Sequence, residues 1–314
     1  MMKTLEYYVK SFSRLHVNRA HGRVSPHKPI MLLAVIELVE SGLLPENRIY
    51  YTQQLLERFR AYFEVVQEPG DSYSPYLPFF HLKREQFWHL KPTPNRQDVL
   101  KTLRTVHGPS DINDNILYAT LDDDLFILLQ SKNNRAILRQ GLINTWFLRS
   151  REVMKTVAIE QRKINNYQSF LQKKAEHKEV HEQVRYNKKI RDTAFSRIVR
   201  EAYDYRCAAS GLRVILPDGA VLVEAAHLIP YADSQDDDPR NGIALAPNYH
   251  WALDRHIIAP GPDLKWHISP ILDRRNRDYQ ELIDIDNQSI MLPHNRKYYP
   301  RMDALKWRMK RLVK

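Results

Sequence analysis

The chain has a single cysteine, Cys207, among its 314 residues, so no internal disulfide can form and a reducing, cytosolic setting fits. The lone thiol also excludes a paired CxxC knuckle, because Ser210 stands where its second cysteine would fall. No structural zinc is therefore expected, and Cys207 reads as a core residue. No apolar run approaches the roughly 20 residues needed to cross a bilayer. The opening residues, Met1-Met2-Lys3-Thr4-Leu5-Glu6-Tyr7-Tyr8, lack the apolar core of a signal peptide. A soluble, cytoplasmic protein without membrane contact is the expectation. Residues 151–200 hold neither glycine nor proline, so nothing there breaks a helix.

What is present is length and positive charge. A chain of this size is long enough for two domains, each with a core. Its 48 Lys and Arg against 37 Asp and Glu leave a formal charge of +11 and a pI near 9.5. That balance suits a polyanion, since each neutralised phosphate releases counterions, although charge alone does not name the partner.

Taken in order, Leu5, Tyr8, Val9, Phe12 and Leu15 recur at helical spacing, so a first helix is expected. Ser25-Pro26-His27-Lys28-Pro29 reads as a helix start with a capping hydroxyl. The run Ile30 to Val39 behind it is almost wholly apolar, predicts a helix buried nearly all round, and stops at Ser41-Gly42. Ile49-Tyr50-Tyr51 predicts a brief strand, and Thr52 a cap for an amphipathic helix over Gln53 to Phe63. Phe79 to Leu82 and Phe87 to Leu90 predict a hairpin turning at Lys83 to Gln86. Residues 97–107 and 132–150 again read as helices, with Asp122-Asp123-Asp124 starting another between them. From 151 to 200, 13 Lys and Arg stand against six Asp and Glu, which predicts long, solvated linking helices; about 30 helical residues would span about 45 Å. Thr193 onward reads as the helix entering the second domain. Trp266-His267-Ile268 and Ser289 to Pro293 predict strands, and Ala304 to Val313 a basic closing helix (Lys306, Arg308, Lys310, Arg311) able to lie along phosphate.

The stretch with the most chemistry is Val221 to Ile258, VLVEAAHLIPYADSQDDDPRNGIALAPNYHWALDRHII. An apolar run delivers Glu224, Ala225, Ala226 and His227; an Asp-rich loop follows; Asn241-Gly242 turns into Ile243 to Leu245; and a helical segment carries His250 and, four positions on, Asp254. Strand, loop, strand and helix can hold one divalent metal. Phosphodiester cleavage needs a base for water, positive charge on the phosphorane and a stabilised leaving oxygen. Imidazole, with an ordinary pKa near 6.5, supplies a neutral base at cellular pH, the role that suits His227. His250 with a carboxylate would hold the metal, and Asn241 would bind backbone near His227 and keep its ring oriented. Singly, each of these has a plainer explanation: a solvated histidine, a simple Asn-Gly turn, a solvated Asp237-Asp238 loop. Together, at this spacing, they favour the site.

This stretch resembles the HNH nuclease motif, the ββα-metal finger, with His227, Asn241 and His250 as its namesakes. Arg191-Asp192, Ala194-Phe195, Tyr205-Arg206-Cys207-Ala208, Glu224-Ala225-Ala226-His227, Asp237-Asp238-Pro239-Arg240-Asn241-Gly242 and Ala259-Pro260-Gly261-Pro262 extend the likeness to bacterial restriction endonucleases over roughly 185–314. Many HNH enzymes carry Asp or His directly before the first His as a metal ligand. Ala226 occupies that place here, leaving Glu224, by the two-residue strand period, and Asp254, one turn past His250, as candidates.

The first half resembles the sulfur-binding domain of phosphorothioate-dependent restriction enzymes over about 20–150. His27-Lys28-Pro29 before a buried helix, and Pro78-Phe79-Phe80-His81-Leu82 before Phe87-Trp88, carry that likeness. It implies a shallow apolar pocket for backbone sulfur walled by Pro78, Tyr76 and Phe79, with Arg23, His27 and Lys28 on phosphate and His81 beside them. The family's usual tyrosine before the proline is Leu77 here.

The resulting expectation is an α+β protein of two domains: a DNA-recognition domain over 1–150, a helical linker over 151–190 and an HNH nuclease domain over 191–314. The chain would be a DNA endonuclease of the modification-dependent restriction type, using one Mg²⁺ or Mn²⁺ per active site on double-stranded DNA, modified or not. One site nicks one strand, so a homodimer is the expected route to a double-strand break. Two alternatives remain at this stage: a DNA-binding protein with an inactive HNH-like domain, and an HNH nuclease reading unmodified sequence.

Overall fold

The computed structural model describes residues 2–20, 23–176 and 185–314, without the side chains of Ala20 and Arg23. Its architecture is α+β, in two compact units. One holds the residues up to Arg162, together with Pro217–Gly219; the other holds the rest.

In the first unit, helix α1 (Leu5–Phe12) starts at Thr4, whose hydroxyl accepts from Tyr7 N, and buries Tyr8 and Phe12. A two-residue hairpin, β1 (Arg19–Ala20) and β2 (Arg23–Val24), leads into α2 (His27–Glu40). Helix α2 is buried from Lys28 to Val39 and forms the centre of the unit. It ends where Gly42 takes φ +72°, a left-handed conformation that costs glycine little. Ser25 does not cap it: its Oγ turns to His27 Nδ1 at 2.9 Å, and the cap position falls to Pro26. Helices α3 (Gln53–Phe63) and α4 (Tyr76–His81) follow.

Helix α4 overturns the hairpin expected between Phe79 and Leu90. Residues 76–81 are helical and continue into a 3₁₀ turn, Leu82–Arg84. Pro75 and Pro78 fit a helix start, which has no intrahelical N–H bonds to lose, and Phe79, Phe80 and Leu82 all reach the core. Strand β3 (Trp88–Pro92) forms as expected from Trp88 on, but its partner comes from further along the chain. After α5 (Gln97–Thr102) and α6 (Pro109–Asn115), strand β4 (Ile116–Leu121) pairs antiparallel with it, Trp88 opposite Leu121. The expected strand at Ile49 reduces to one bridge, to Ala119. Helices α7 (Asp123–Gln130) and α8 (Lys132–Trp146) complete this core.

Helix α9 (Arg151–Ala175) occupies the expected linker. Its Met154, Val157 and Ala158 belong to the first unit's core, and its Ile164, Tyr167 and Leu171 to the second's. Residues 177–184 of that expected linker lie outside the described residues.

The second unit contains α10 (Lys188–Ala202), β5 (Glu224–His227), α11 (Tyr231–Ser234), a 3₁₀ turn at Pro239–Asn241, β6 (Gly242–Leu245) and α12 (Pro247–Asp254). Strands β5 and β6 are antiparallel, with Glu224 opposite Leu245 and His227 opposite Gly242. A second pair, β7 (Ile258–Pro260) and β8 (Trp266–Ile268), is followed by α13 (Gln280–Ile283) and α14 (Met302–Lys310). The expected strand at 289–293 is only a bridge between Ser289 and Lys265. Cys207 is a buried free thiol in this core. Among the described residues, no helix is long and apolar enough to cross a membrane.

Candidate active site

The site is built on one four-residue strand. Ala226, fully buried, is part of the core, while Glu224 and His227 stand at the two ends of β5. Three residues of strand separate them by about 10 Å.

At the C-terminal end, the His227 ring stacks on Phe195 of α10, with centroids 3.8 Å apart and planes 4° apart. Its Nε2 lies 3.0 Å from Asp237 Oδ1. Asp237 also accepts from Tyr167 OH at 3.0 Å and from Arg191 Nη1 at 2.8 Å. Burial pushes this carboxyl up, but the bonds from His227 and Tyr167 and the Arg191 charge more than offset it, and the group sits below the ordinary carboxylate range.

Asn241 is fully buried and touches only backbone. Its Oδ1 accepts from Ile229 N at 2.9 Å, and its Nδ2 donates to Ile229 O at 2.9 Å and Asp236 O at 3.1 Å. The side chain thus ties the loop down just past His227, without touching the imidazole. Gly242 does not serve as a left-handed turn residue, for its φ is −120°. A Cβ there would meet Val199 Cγ2 at 2.4 Å and Phe195 Cζ at 2.8 Å. Glycine lets α10 approach β6 closely enough for Phe195 to back the histidine.

At the other end of β5, His250 Nδ1 lies 2.7 Å from Glu224 Oε2, and its Nε2 lies 3.5 Å from Asp254 Oδ2. Sequence proposed these three as metal ligands, and the fold brings them together across the strand and α12. One imidazole and two carboxylates, 56% and 58% exposed, suit a hard or borderline divalent cation. Among the described residues, no three His, Cys, Asp or Glu side chains already surround a common point. The donor types fit a metal; each His250 nitrogen at present faces a carboxylate.

The two ends are joined by Arg308, which corrects the expectation that this residue lies along phosphate. It is 1% exposed and donates to His227 O (2.8 Å), Leu228 O (2.7 Å) and Leu253 O (3.1 Å). With no carboxylate bonded to it, burial lowers its pKa to about 10.

The expected DNA-reading residues of the first unit divide in two. Lys28 is a correction: its Nζ bonds Glu85 Oε1 at 2.6 Å with both side chains nearly buried. A lysine taken out of water needs that carboxylate, so it is not offered to phosphate. Phe79 is also turned inward, between Tyr51 and Trp88, and Pro78 is buried. Tyr76 and Leu77 are half-buried and pack at the core's edge. The His27 ring lies 5.1 Å from that of Phe63, its Nε2 at 2.9 Å from Ser72 O. His81 is half-buried, and burial, then Arg84, Lys28 and Lys83, push its imidazole down. The Arg23 side chain lies outside the described residues.

The strand–loop–strand–helix frame carrying His227, Asn241 and His250 lies in the stretch 207–259, which matches the HNH endonuclease family model. The ScoMcrA-like DNA sulfur-binding domain model matches residues 6–162. That is half of the chain, and the chain belongs to this family. No curated protein matches the chain. A solved structure described as "Modification dependent TagI restriction endonuclease" is similar at 18% identity and a TM-score of 0.31, covering 43% of this chain and 45% of that one. The match thus spans less than half of that protein.

Four contributors escaped the sequence reading: Asp237, Tyr167, Phe195 as a stacking partner, and Arg308. Asp237, Arg191 and Phe195 did lie in phrases that resemble the family, but their function there had no local signal.

Proposed function

We propose that this chain is a divalent-metal-dependent DNA endonuclease of the modification-dependent restriction type, acting in the cytoplasm as a homodimer on double-stranded DNA. The observation that supports this best is the β5–β6–α12 frame, which presents His227 at one end of β5 and the Glu224–His250–Asp254 group at the other. His227 would take the proton of the attacking water. Asn241 holds the backbone that aims it. A bound Mg²⁺ or Mn²⁺ would supply positive charge for the phosphorane and the departing 3′-oxygen. Glu224, His250 and Asp254 would hold that ion.

The first unit would locate the DNA by a phosphorothioate linkage. Tyr76 and Leu77 offer an apolar edge, His81 ends the same helix, and His27 faces Ser72 O. Sulfur is softer and less hydrated than oxygen, so an apolar edge discriminates in its favour. The burial of Pro78 and Phe79 favours a second reading, in which this unit reads an unmodified backbone. Cleavage of matched duplexes with and without phosphorothioate linkages, in Mg²⁺ and in Mn²⁺, separates the two. Cutting of the sulfur-bearing duplex alone is expected. Equal cutting of both would discard sulfur reading, and cutting of neither would count against the nuclease itself.

A further inference from the structure

The Asp237 carboxylate is fully enclosed, yet three elements aim a donor at it: β5 through His227, α9 through Tyr167 and α10 through Arg191. Tyr167 and Arg191 lie outside the matched stretch 207–259. An ionised carboxylate can only accept hydrogen bonds, so the imidazole nitrogen facing it must carry a proton. In the neutral ring that nitrogen is Nε2, and the lone pair is then on Nδ1. Phe195, stacked face to face on the ring, and Arg308, holding the His227 carbonyl, oppose a ring flip that would exchange the two. The His227 side chain remains 20% exposed, enough for water to reach it. The Tyr231 ring, itself under the Arg191 guanidinium, lies 6.3 Å from that of His227.

We propose that Asp237, supported by Tyr167 and Arg191, is a positioning residue that fixes His227 as the Nε2–H tautomer, making Nδ1 the atom that takes the proton from water. As the proton moves to Nδ1, the water's O–H electron pair forms the new bond to phosphorus. The bond from phosphorus to the 3′-oxygen breaks, and its electron pair leaves with that oxygen. The ring is then imidazolium, and Asp237 stays ionised beside it. The inference rests on the reading of His227 as general base.

The test uses the full chain. In Asp237→Asn, the amide can donate to Nε2 and so favours the opposite tautomer, with the proton on Nδ1. Cleavage should fall at least about 100-fold, the scale of a lost general base, while DNA Kd holds, both read well below the variant's thermal midpoint. Tyr167→Phe should lose a smaller factor, and Asp237→Glu should recover part of the rate. The direct readout is ¹⁵N NMR of histidine-labelled protein at a pH where the ring is neutral, with the His227 signal found by difference against His227→Gln. Wild type should show a protonated Nε2, and Asp237→Asn a protonated Nδ1. A protonated Nδ1 in wild type would overturn the proposal even if Asp237→Asn fails to fold. Wild-type cutting by Asp237→Asn, with His227→Ala inactive, would overturn the proposal alone; cutting by His227→Ala would sink the base assignment beneath it.

Discussion

Asn241→Ala offers a sharp test of what the middle residue of the site does. The side chain is fully buried and makes three hydrogen bonds, all to backbone of the loop between β5 and β6. Each such bond contributes about 1 kcal/mol net, and a buried group left unpaired costs about 1–3 kcal/mol. Ile229 O keeps a weak bond from Ser234 Oγ at 3.4 Å, so the Ile229 N–H is the main orphan. Two lost bonds and one orphan then cost about 3–5 kcal/mol. In a domain of about 150 residues this lowers the thermal midpoint by about 6–20 °C. Scanning calorimetry of the full chain should show the second unit's transition moving while the first unit's stays, because no Asn241 bond leaves the second unit. Well below that midpoint, cleavage should still be impaired, since the chain just past His227 is no longer held. A change under about 1 kcal/mol with cleavage lost would refute this reasoning and make Asn241 a substrate contact.

Gly242→Ala should cut activity and destabilise the second unit by about 1–3 kcal/mol, because the new methyl displaces Phe195 and Val199; retained activity in a cleavage assay would show that the histidine does not need its stack. Glu224 approaches His250 more closely than Asp254 does, so Glu224→Ala should weaken Mn²⁺ binding at least about 10-fold and Asp254→Ala less, as read by calorimetric titration; the reverse order would reassign the second ligand. Burial raises both Asp236 and Asp237, but Lys174 and Arg301 at the first and His227, Tyr167 and Arg191 at the second bring each below 3.8. Lowered carboxyl values stabilise the fold above the unfolded pKa and lose that contribution as pH falls through the folded ones. The second unit's thermal midpoint should therefore hold down to about pH 5 and fall below about pH 4; a flat profile to pH 3 would contradict the ion pairs.

Local pattern was enough for much of this protein. The apolar run Ile30 to Val39 announced a helix buried on all sides, because no face of it could meet water. The nearness of His250 to Asp254 was legible because the helical period places residues four apart on one face. Lys28 and Phe79 misled for the complementary reason: a charge or ring beside a proline looks the same whether it faces solvent or core. Burial against Glu85, 57 residues away, settled Lys28. The partner of β3 had no local signal, for strand pairing is decided by which edges the packed helices leave open. The same holds for Asp237. In the sequence it is one of three aspartates in a polar loop, and only the packing of α9 and α10 makes it the buried acceptor of His227. Residue types and spacings, which are properties of the chain, determined the class of chemistry; the burial of charge and the pairing of distant residues, which exist only once the cores close, decided which groups hold the base in place.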